Sequence, residues 1–408
     1  MKVGIVGLGY VGLVTAIALA NAGNKIIGID IDKNKIDALK DHKLTIYEPG
    51  LNEAFENAYD KITFSTEYSL LRGEEAVYVI VPTPTVKGKI LLDYVFDACD
   101  KIKEVNSNAI IVIKSTVVPG TARKIIERAG SIVVSNPEFT KEGTAMEDTI
   151  HPDRIVIGSG NQKASDTIAE LWSFTKSPIL KTTNENAELI KYASNAFLAT
   201  KISFINEIAN LCERIPGADV ETVAKGMGLD KRIAPYFLKA GIGYGGSCFP
   251  KDTKAIAEFA RGLGEHLRII ESTIEVNDER INRVCEIIKR TLNAKTASIG
   301  VLGITFKNNT NDTRESQSIK LINKLKNEGF NVNAYDPIIK EGIDNVKICK
   351  NMKECIESSD ILVIATEWDE FKNIETSKPI IDAKRLLDLG KNNVIPIGFG
   401  QPKTKMKT

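Results

Sequence analysis

Histidine is scarce in this 408-residue chain, which holds three, and its six cysteines are scattered without a C-x-x-C pair. The two residue types do not cluster, so neither a zinc site nor a disulfide scaffold is expected, and no metal enters the chemistry. Net charge is nearly absent: 54 Lys and Arg against 53 Asp and Glu leave a formal +1. Such a chain offers no basic field to nucleic acid and no polybasic face to a membrane, and neither partner is expected. Hydrophobic residues at 43% and charged residues at 26% suit a globular protein rather than a disordered or multi-span one. Scattered thiols of this kind act as small buried hydrophobes in a reducing cytoplasm, the expected location. At about 150 residues per domain, the length predicts two to three domains.

Charge is missing altogether from residues 3–24, and Lys2 ahead of that apolar run gives the outline of a signal peptide or membrane anchor. Glycines break the outline. Residues 2–7 read as a short buried strand, followed by a turn, an alanine-rich helix ending at Gly23 and a second strand over 25–30. Inside this unit lies Gly7-Leu-Gly9-Tyr-Val-Gly12. Gly7 allows the tight turn, Gly9 lets a pyrophosphate approach the backbone, and Gly12 lets the helix pack on the strand, with phosphate at the helix N-terminus. Asp30 ends the second strand about 20 residues on, where a carboxylate binds a ribose 2′-hydroxyl and repels a 2′-phosphate, which favours NAD over NADP. The competing reading makes Asp30 the cap of a helix starting near Asp32.

Apolar strands then alternate with helical stretches at 76–81, 109–113, 131–135 and 154–158, the pattern of a doubly wound α/β sheet. Two strands end in the loops Val81-Pro-Thr-Pro-Thr85 and Lys114-Ser-Thr116, candidate cofactor edges or ordinary turns. Residues 184–214 contain neither Gly nor Pro, which predicts a helix of roughly 45 Å. A second long helix is expected over 266–292, and strands resume at 297–302, 331–335, 360–365 and 379–382. This second α/β region has Gly300-Val-Leu-Gly303 without the full fingerprint, so its ligand should not be a dinucleotide. The tail, 402–408, is expected to fray.

Four glycines precede Cys248 in Gly241-Ile-Gly-Tyr-Gly-Gly-Ser-Cys248-Phe-Pro-Lys-Asp252. A thiol on an exposed, lysine-flanked turn is the kind that ionises and attacks a carbonyl carbon. Local features alone favour an incidental loop cysteine over a catalytic one.

Together with Asn136-Pro-Glu-Phe-Thr-Lys-Glu-Gly143, Glu188-Leu-Ile-Lys-Tyr-Ala-Ser-Asn195, Phe306-Lys307 and Asp312-Thr-Arg-Glu-Ser316, these blocks resemble the UDP-glucose/GDP-mannose dehydrogenase family over nearly the whole chain. The resemblance implies two doubly wound Rossmann-like domains joined by a long central helical region. Its boundaries are an NAD-binding domain at 1–183, a central dimerisation region with the cysteine at 184–294, and a UDP-sugar domain at 295–408. It also implies a four-electron oxidation of the C6 alcohol of a nucleotide-linked hexose to a carboxylate, using two NAD in succession and a thioester on Cys248. Lys191, Asp252 and Asn195 are the matched proton and alkoxide network, and Glu138 is the matched base for thioester hydrolysis, with Thr116 assisting. Besides Gly7, Gly9, Gly12 and Asp30, the cofactor positions are Val11, Lys35, Thr83, Thr116, Glu142, Lys251 and Arg314. Substrate positions are Glu138, Glu142, Lys191, Asn195, Phe237, Lys239, Gly241, Gly245 and the phosphate cation Lys307. Arg232 matches an arginine that crosses a homodimer formed through the central helix.

Without the resemblance, Lys191 and Asn195 would be solvated residues on one helix face, and Glu138 and Glu142 a surface charge pair. The chain departs from the family at Thr140, where Leu is common and only packing is expected to change. It departs again at Lys384, which replaces an arginine and is kept out of the site. UDP-glucose is the expected substrate, with GDP-mannose and UDP-N-acetylhexosamines as alternatives. A two-electron polyol or hydroxyacid dehydrogenase and a non-catalytic nucleotide-sugar-binding protein are the readings from other classes.

Overall fold

The structure is a computed structural model that describes residues 1–86, 88–292, 297–343, 346–390 and 393–401. The expected fraying tail and the expected boundary between 294 and 295 lie outside the described residues. The chain forms two compact units, Met1–Ser194 and Asn195–Thr408.

In the first unit the chain runs β1 (Lys2–Val6), α1 (Tyr10–Asn21), β2 (Lys25–Ile29), α2 (Lys33–Lys40), α3 (Leu51–Ala58), β3 (Ile62–Ser65) and β4 (Ala76–Val79). The hairpin β5 (Thr85–Val86) and β6 (Lys89–Ile90) follows, then α4 (Asp93–Val105), β7 (Ile110–Ile113), α5 (Thr121–Ala129) and β8 (Val133–Ser135). The unit continues with α6 (Ala145–Ile150), β9 (Ile155–Gly158), α7 (Gln162–Leu171) and β10 (Ile179–Thr182). Eight strands form one sheet in the order β10-β9-β8-β7-β4-β1-β2-β3. Only the β8–β9 contact is antiparallel. Apolar clusters cover both faces, one built with α1, α3 and α7 and the other with α4 and α5. The uncharged opening segment is therefore core: α1 is buried from Gly12 through Ala20. At 12 residues it falls well short of the about 20 needed to cross a bilayer, and among the described residues no helix is long and apolar enough to do so.

Helix α8 (Asn184–Cys212) runs 29 residues from the first unit into the second, about 44 Å at 1.5 Å per residue. The second unit adds α9 (Val220–Gly228), α10 (Phe249–Gly262) and α11 (Arg268–Thr291). It then alternates β11 (Ser298–Leu302), α12 (Gln317–Asn327), β12 (Asn331–Tyr335), β13 (Lys347–Ile348), α13 (Met352–Glu357), β14 (Ile361–Ile364), β15 (Ile380–Asp382) and β16 (Val394–Pro396). Its six strands are ordered β13-β12-β11-β14-β15-β16. Both sheets place the ends of β1 or β11 beside a strand-order reversal, where α/β sheets bind ligands.

Candidate active site

The turn after β1 is built around two close approaches. A Cβ on Gly12 would sit 1.8 Å from the Gly7 carbonyl oxygen, and Gly7 itself has φ +95°. A Cβ on Gly9 would meet nothing within 4 Å, so this side of the loop is open, and no side chain caps the N-terminus of α1. Val11 is half-buried in that first turn. Asp30, at the end of β2, accepts from the Leu8 N–H at 2.8 Å, the Asp32 N–H at 3.0 Å and Lys35 Nζ at 2.7 Å. Burial alone would raise its carboxyl, but Lys35 and the two N–H groups hold it below its ordinary value. The helix cap is Asp32, which accepts from Asn34 and Lys35, so the capping reading of Asp30 is set aside. A carboxylate has about four acceptor positions, and three are filled, leaving one for a ribose hydroxyl. The loop, open helix end and carboxylate together fit the pyrophosphate and adenosine ribose of NAD. Thr83 is buried in the loop after β4.

A second cluster lies at the ends of β7 and β8. Lys191 on α8 pairs with Glu138 at 3.1 Å, and their side chains are 4% and 10% exposed. Neither is the solvated surface residue it would be taken for without the resemblance. Burial by itself would raise the Glu138 carboxyl, yet the Lys191 ammonium and hydrogen bonds from Thr140 outweigh it and keep the group below the usual carboxylate range. Thr116 and Lys191 line one cavity of about 10 Å³ with Ser135, Pro137 and Glu188, close to the volume one water needs. Glu142 is half-buried farther along the same loop.

In the second unit Cys248 is half-buried rather than exposed, and it occupies the cap position of α10. The positive end of the α10 dipole faces that position. Four residues on, Asp252 is 1% exposed and accepts from Asn195 Nδ2 at 2.6 Å and Lys251 Nζ at 2.6 Å. The preceding glycine loop is pinned by buried side chains. Asn206 accepts from the Gly241 N–H, Arg280 donates to its carbonyl, and Asn277 bonds both backbone groups of Tyr244. Gly245 is required because a Cβ would come within 2.4 Å of the Glu315 carbonyl oxygen. Phe237 has φ +63° and packs edge-on against Phe249.

The other expected residues of the second unit meet their own neighbours. Arg232 is exposed and forks onto its own neighbour Asp230, Lys239 is exposed, and Arg314 forks onto Asp312. Lys307 sits over the Phe306 ring at 5.8 Å. Lys384 pairs with Glu367 at 2.6 Å. Asp336 ends β12 where Asp30 ends β2, but it is wholly buried. Its oxygens accept from Ile304, Thr305, Ile338, Ile339 and Trp368. With every acceptor position filled, it has none to offer a ribose, the physical form of the missing fingerprint.

Four residues of this site escaped the sequence reading. Thr140 was expected to affect only packing; instead its N–H and its hydroxyl both donate to Glu138, at 2.6 and 2.8 Å. Lys114 is 7% exposed, lies over the Trp172 ring at 4.9 Å, and is pushed down to about 8 by burial despite Glu138. Glu48 accepts from the Tyr10 hydroxyl and from the Gly143 and Ala145 N–H groups, tying the carboxylate loop to the glycine turn. Glu188 accepts from Gly120 and Ala122 at the start of α5, and burial raises it to about 7. Only proximity in the fold identifies them.

Known proteins bear on all of this. Residues 1–176 match the NAD binding domain of the UDP-glucose/GDP-mannose dehydrogenase family, 185–279 its central domain and 300–391 its UDP binding domain. UDP-glucose 6-dehydrogenase TuaD of Bacillus subtilis is 44% identical, over 95% of this chain and 90% of that one. UDP-glucose 6-dehydrogenase of Rickettsia bellii is 39% identical over 98% of each. The structure of a UDP-glucose dehydrogenase from Pyrobaculum islandicum superposes with a TM-score of 0.92 at 33% identity, covering 98% of both chains. The chain belongs to the UDP-glucose/GDP-mannose dehydrogenase family.

Proposed function

We propose that the protein is an NAD-dependent UDP-glucose 6-dehydrogenase, converting UDP-glucose, two NAD and water to UDP-glucuronate and two NADH as a cytoplasmic homodimer. The relatives named for UDP-glucose support that substrate over GDP-mannose and the N-acetylhexosamines. In this reading residues 1–183 hold the cofactor, 184–294 carry the thiol and the dimer contact, and 295–408 hold the UDP-sugar. NAD, held by the glycine turn and Asp30, would supply the hydride acceptor for C6 in each of two rounds.

The chain's own residues handle protons and the acyl group. Lys191 stabilises the alkoxide as the C6 hydroxyl loses its proton, with Asn195 and Asp252 as the hydrogen-bonded relay. Cys248 adds to the resulting aldehyde to give a thiohemiacetal, whose C6 still bears the second hydride; after its loss, C6 remains as a thioester on sulfur. Glu138 removes a proton from water as it attacks the thioester, with Thr116, Lys191 and Asn195 assisting. The carboxylate leaves and the thiol is restored. Gly7, Gly9, Val11, Gly12, Asp30, Lys35, Thr83, Glu142, Lys251 and Arg314 take the cofactor positions, and Phe237, Lys239, Gly241, Gly245, Lys307 and Arg232 the nucleotide-sugar positions. The homodimer is supported by α8, where Phe197, Phe204 and Leu211 stand 65%, 44% and 55% exposed at about heptad spacing.

The observation that carries the reading is Cys248 capping α10 with the buried Asp252 in that helix's first turn. The test is NADH yield per sugar for UDP-glucose, UDP-N-acetylglucosamine, UDP-N-acetylmannosamine and GDP-mannose, with Cys248→Ser beside the native enzyme. Two NADH per UDP-glucose, and no uronate from the serine variant, are expected. A yield of one with every sugar, or full turnover by the variant, would point to a two-electron dehydrogenase. No NADH at all would point to a binding protein.

A further inference from the structure

Glu138 is held by more hydrogen bonds than its pairing with Lys191 requires. Its Oε1 accepts from Lys191 Nζ at 3.1 Å, while Oε2 accepts both the N–H and the hydroxyl of Thr140, at 2.6 and 2.8 Å. An ammonium and a backbone N–H can only donate, so an acid proton on Oε2 weakens the N–H contact there, while Oε1 still accepts from Lys191. A hydroxyl can donate or accept. Its hydrogen points at the carboxylate in one state and turns away to receive the acid proton in the other. A leucine at this position would supply the N–H and nothing more.

We propose that Thr140 is a positioning residue that holds the Glu138 carboxyl in one orientation through both of its protonation states. The inference rests on the reading of Glu138 as the base of thioester hydrolysis, because only a group that gains and loses a proton in each cycle needs a contact that reverses. The hydroxyl also favours the charged form, in line with the depressed carboxyl. Other charges face Glu138 within its unit. Lys191 and Lys114 are the nearby cations, while Lys141, Asp148, His151, Asp153 and Arg154 line the same cavity of about 170 Å³. A Thr140 substitution leaves all of them in place, so a change in titration reports on the hydroxyl.

The experiment is the pH profile of kcat with saturating UDP-glucose and NAD, for the native enzyme and for Thr140→Val, Thr140→Ala, Thr140→Ser and Glu138→Gln. Removing the hydroxyl should raise the acidic limb by about one pH unit, making turnover about tenfold slower below the limb. Turnover should persist on its alkaline side, and serine should return the limb to its native position. Glu138→Gln tests the underlying reading: turnover should fall at every pH while cofactor binding shows a folded protein. Turnover retained by Glu138→Gln overturns the base assignment and this inference with it. An inactive glutamine variant with an unmoved limb in both Val and Ala variants overturns the Thr140 role alone, as does a limb that serine fails to restore.

Discussion

Replacing Lys114 with methionine should make the protein more stable, although it removes a charged group beside the site. Lys114 is 7% exposed, its ammonium lies over the Trp172 ring, and no ion pair holds it among the described residues. Burial pushes it from an ordinary 10.5 to about 8. At pH 7 the folded state therefore carries this charge at a penalty of roughly 3 kcal/mol, at about 1.4 kcal/mol per pH unit. The sign follows from proton binding. The unfolded chain holds the proton more tightly, so the penalty is fully present below about pH 8 and fades as pH rises toward 10.5. Methionine keeps the apolar stem in place but gives up a desolvated cation–π contact worth about 1–2 kcal/mol. The net gain is about 1–2 kcal/mol, or a rise in melting temperature of about 2–8 °C for a unit of this size. Thermal unfolding of both proteins followed by circular dichroism at pH 7 and pH 10 measures it. The reasoning fails if the methionine variant melts lower at pH 7, or if the gap between the two is the same at both pH values. A destabilising charge retained at such a place is what a working site leads one to expect.

The fold was legible wherever a strand had to be apolar on both sides. Parallel strands covered by helices read as apolar runs rich in Val and Ile, and β4, β7, β11 and β14 lie within the segments so marked. Edge strands were not legible. β3 (ITFS) and β10 (ILKT) carry polar residues at exposed positions, and β16 (VIP) is three residues ending in proline; none forms an apolar run, so register against a neighbour makes them strands. The long helix was legible from the absence of breakers, within two residues at its C-terminal end.

The site was legible as motifs and illegible as a network. Gly7, Gly12 and Asp30 could be read with their reasons, since each answers a steric or hydrogen-bonding demand of a turn. Nothing about Lys191 or Glu138 announces burial, because a lysine and a glutamate 53 residues apart look alike whether solvated or paired. Glu48 is harder still: its value lies in meeting Tyr10 and Gly143, 38 and 95 residues away. Thr140 shows the limit most plainly. A change from Leu to Thr reads as a packing difference until the carboxylate two residues earlier is found within reach of the hydroxyl.

Two further substitutions separate the assembly from the cofactor site. Phe204→Asp places a charge in the middle of the exposed apolar row on α8; size-exclusion chromatography with light scattering should show a dimer becoming a monomer, and an unchanged mass would remove α8 from the interface. Asp30→Ser acts on two things at once, since the carboxylate that would meet the ribose also holds the Leu8 N–H and Lys35. Losing an acceptor raises the KM for NAD by about tenfold or more, as expected for a hydrogen bond to a charged group, while losing the negative charge frees Lys35 to face a 2′-phosphate. NADP has no 2′-hydroxyl whose acceptor could be lost and only gains from the freed Lys35, so the ratio of kcat/KM for NAD to that for NADP should fall further than kcat/KM for NAD falls. If both cofactors weaken equally, Asp30 serves the loop and not the choice of cofactor.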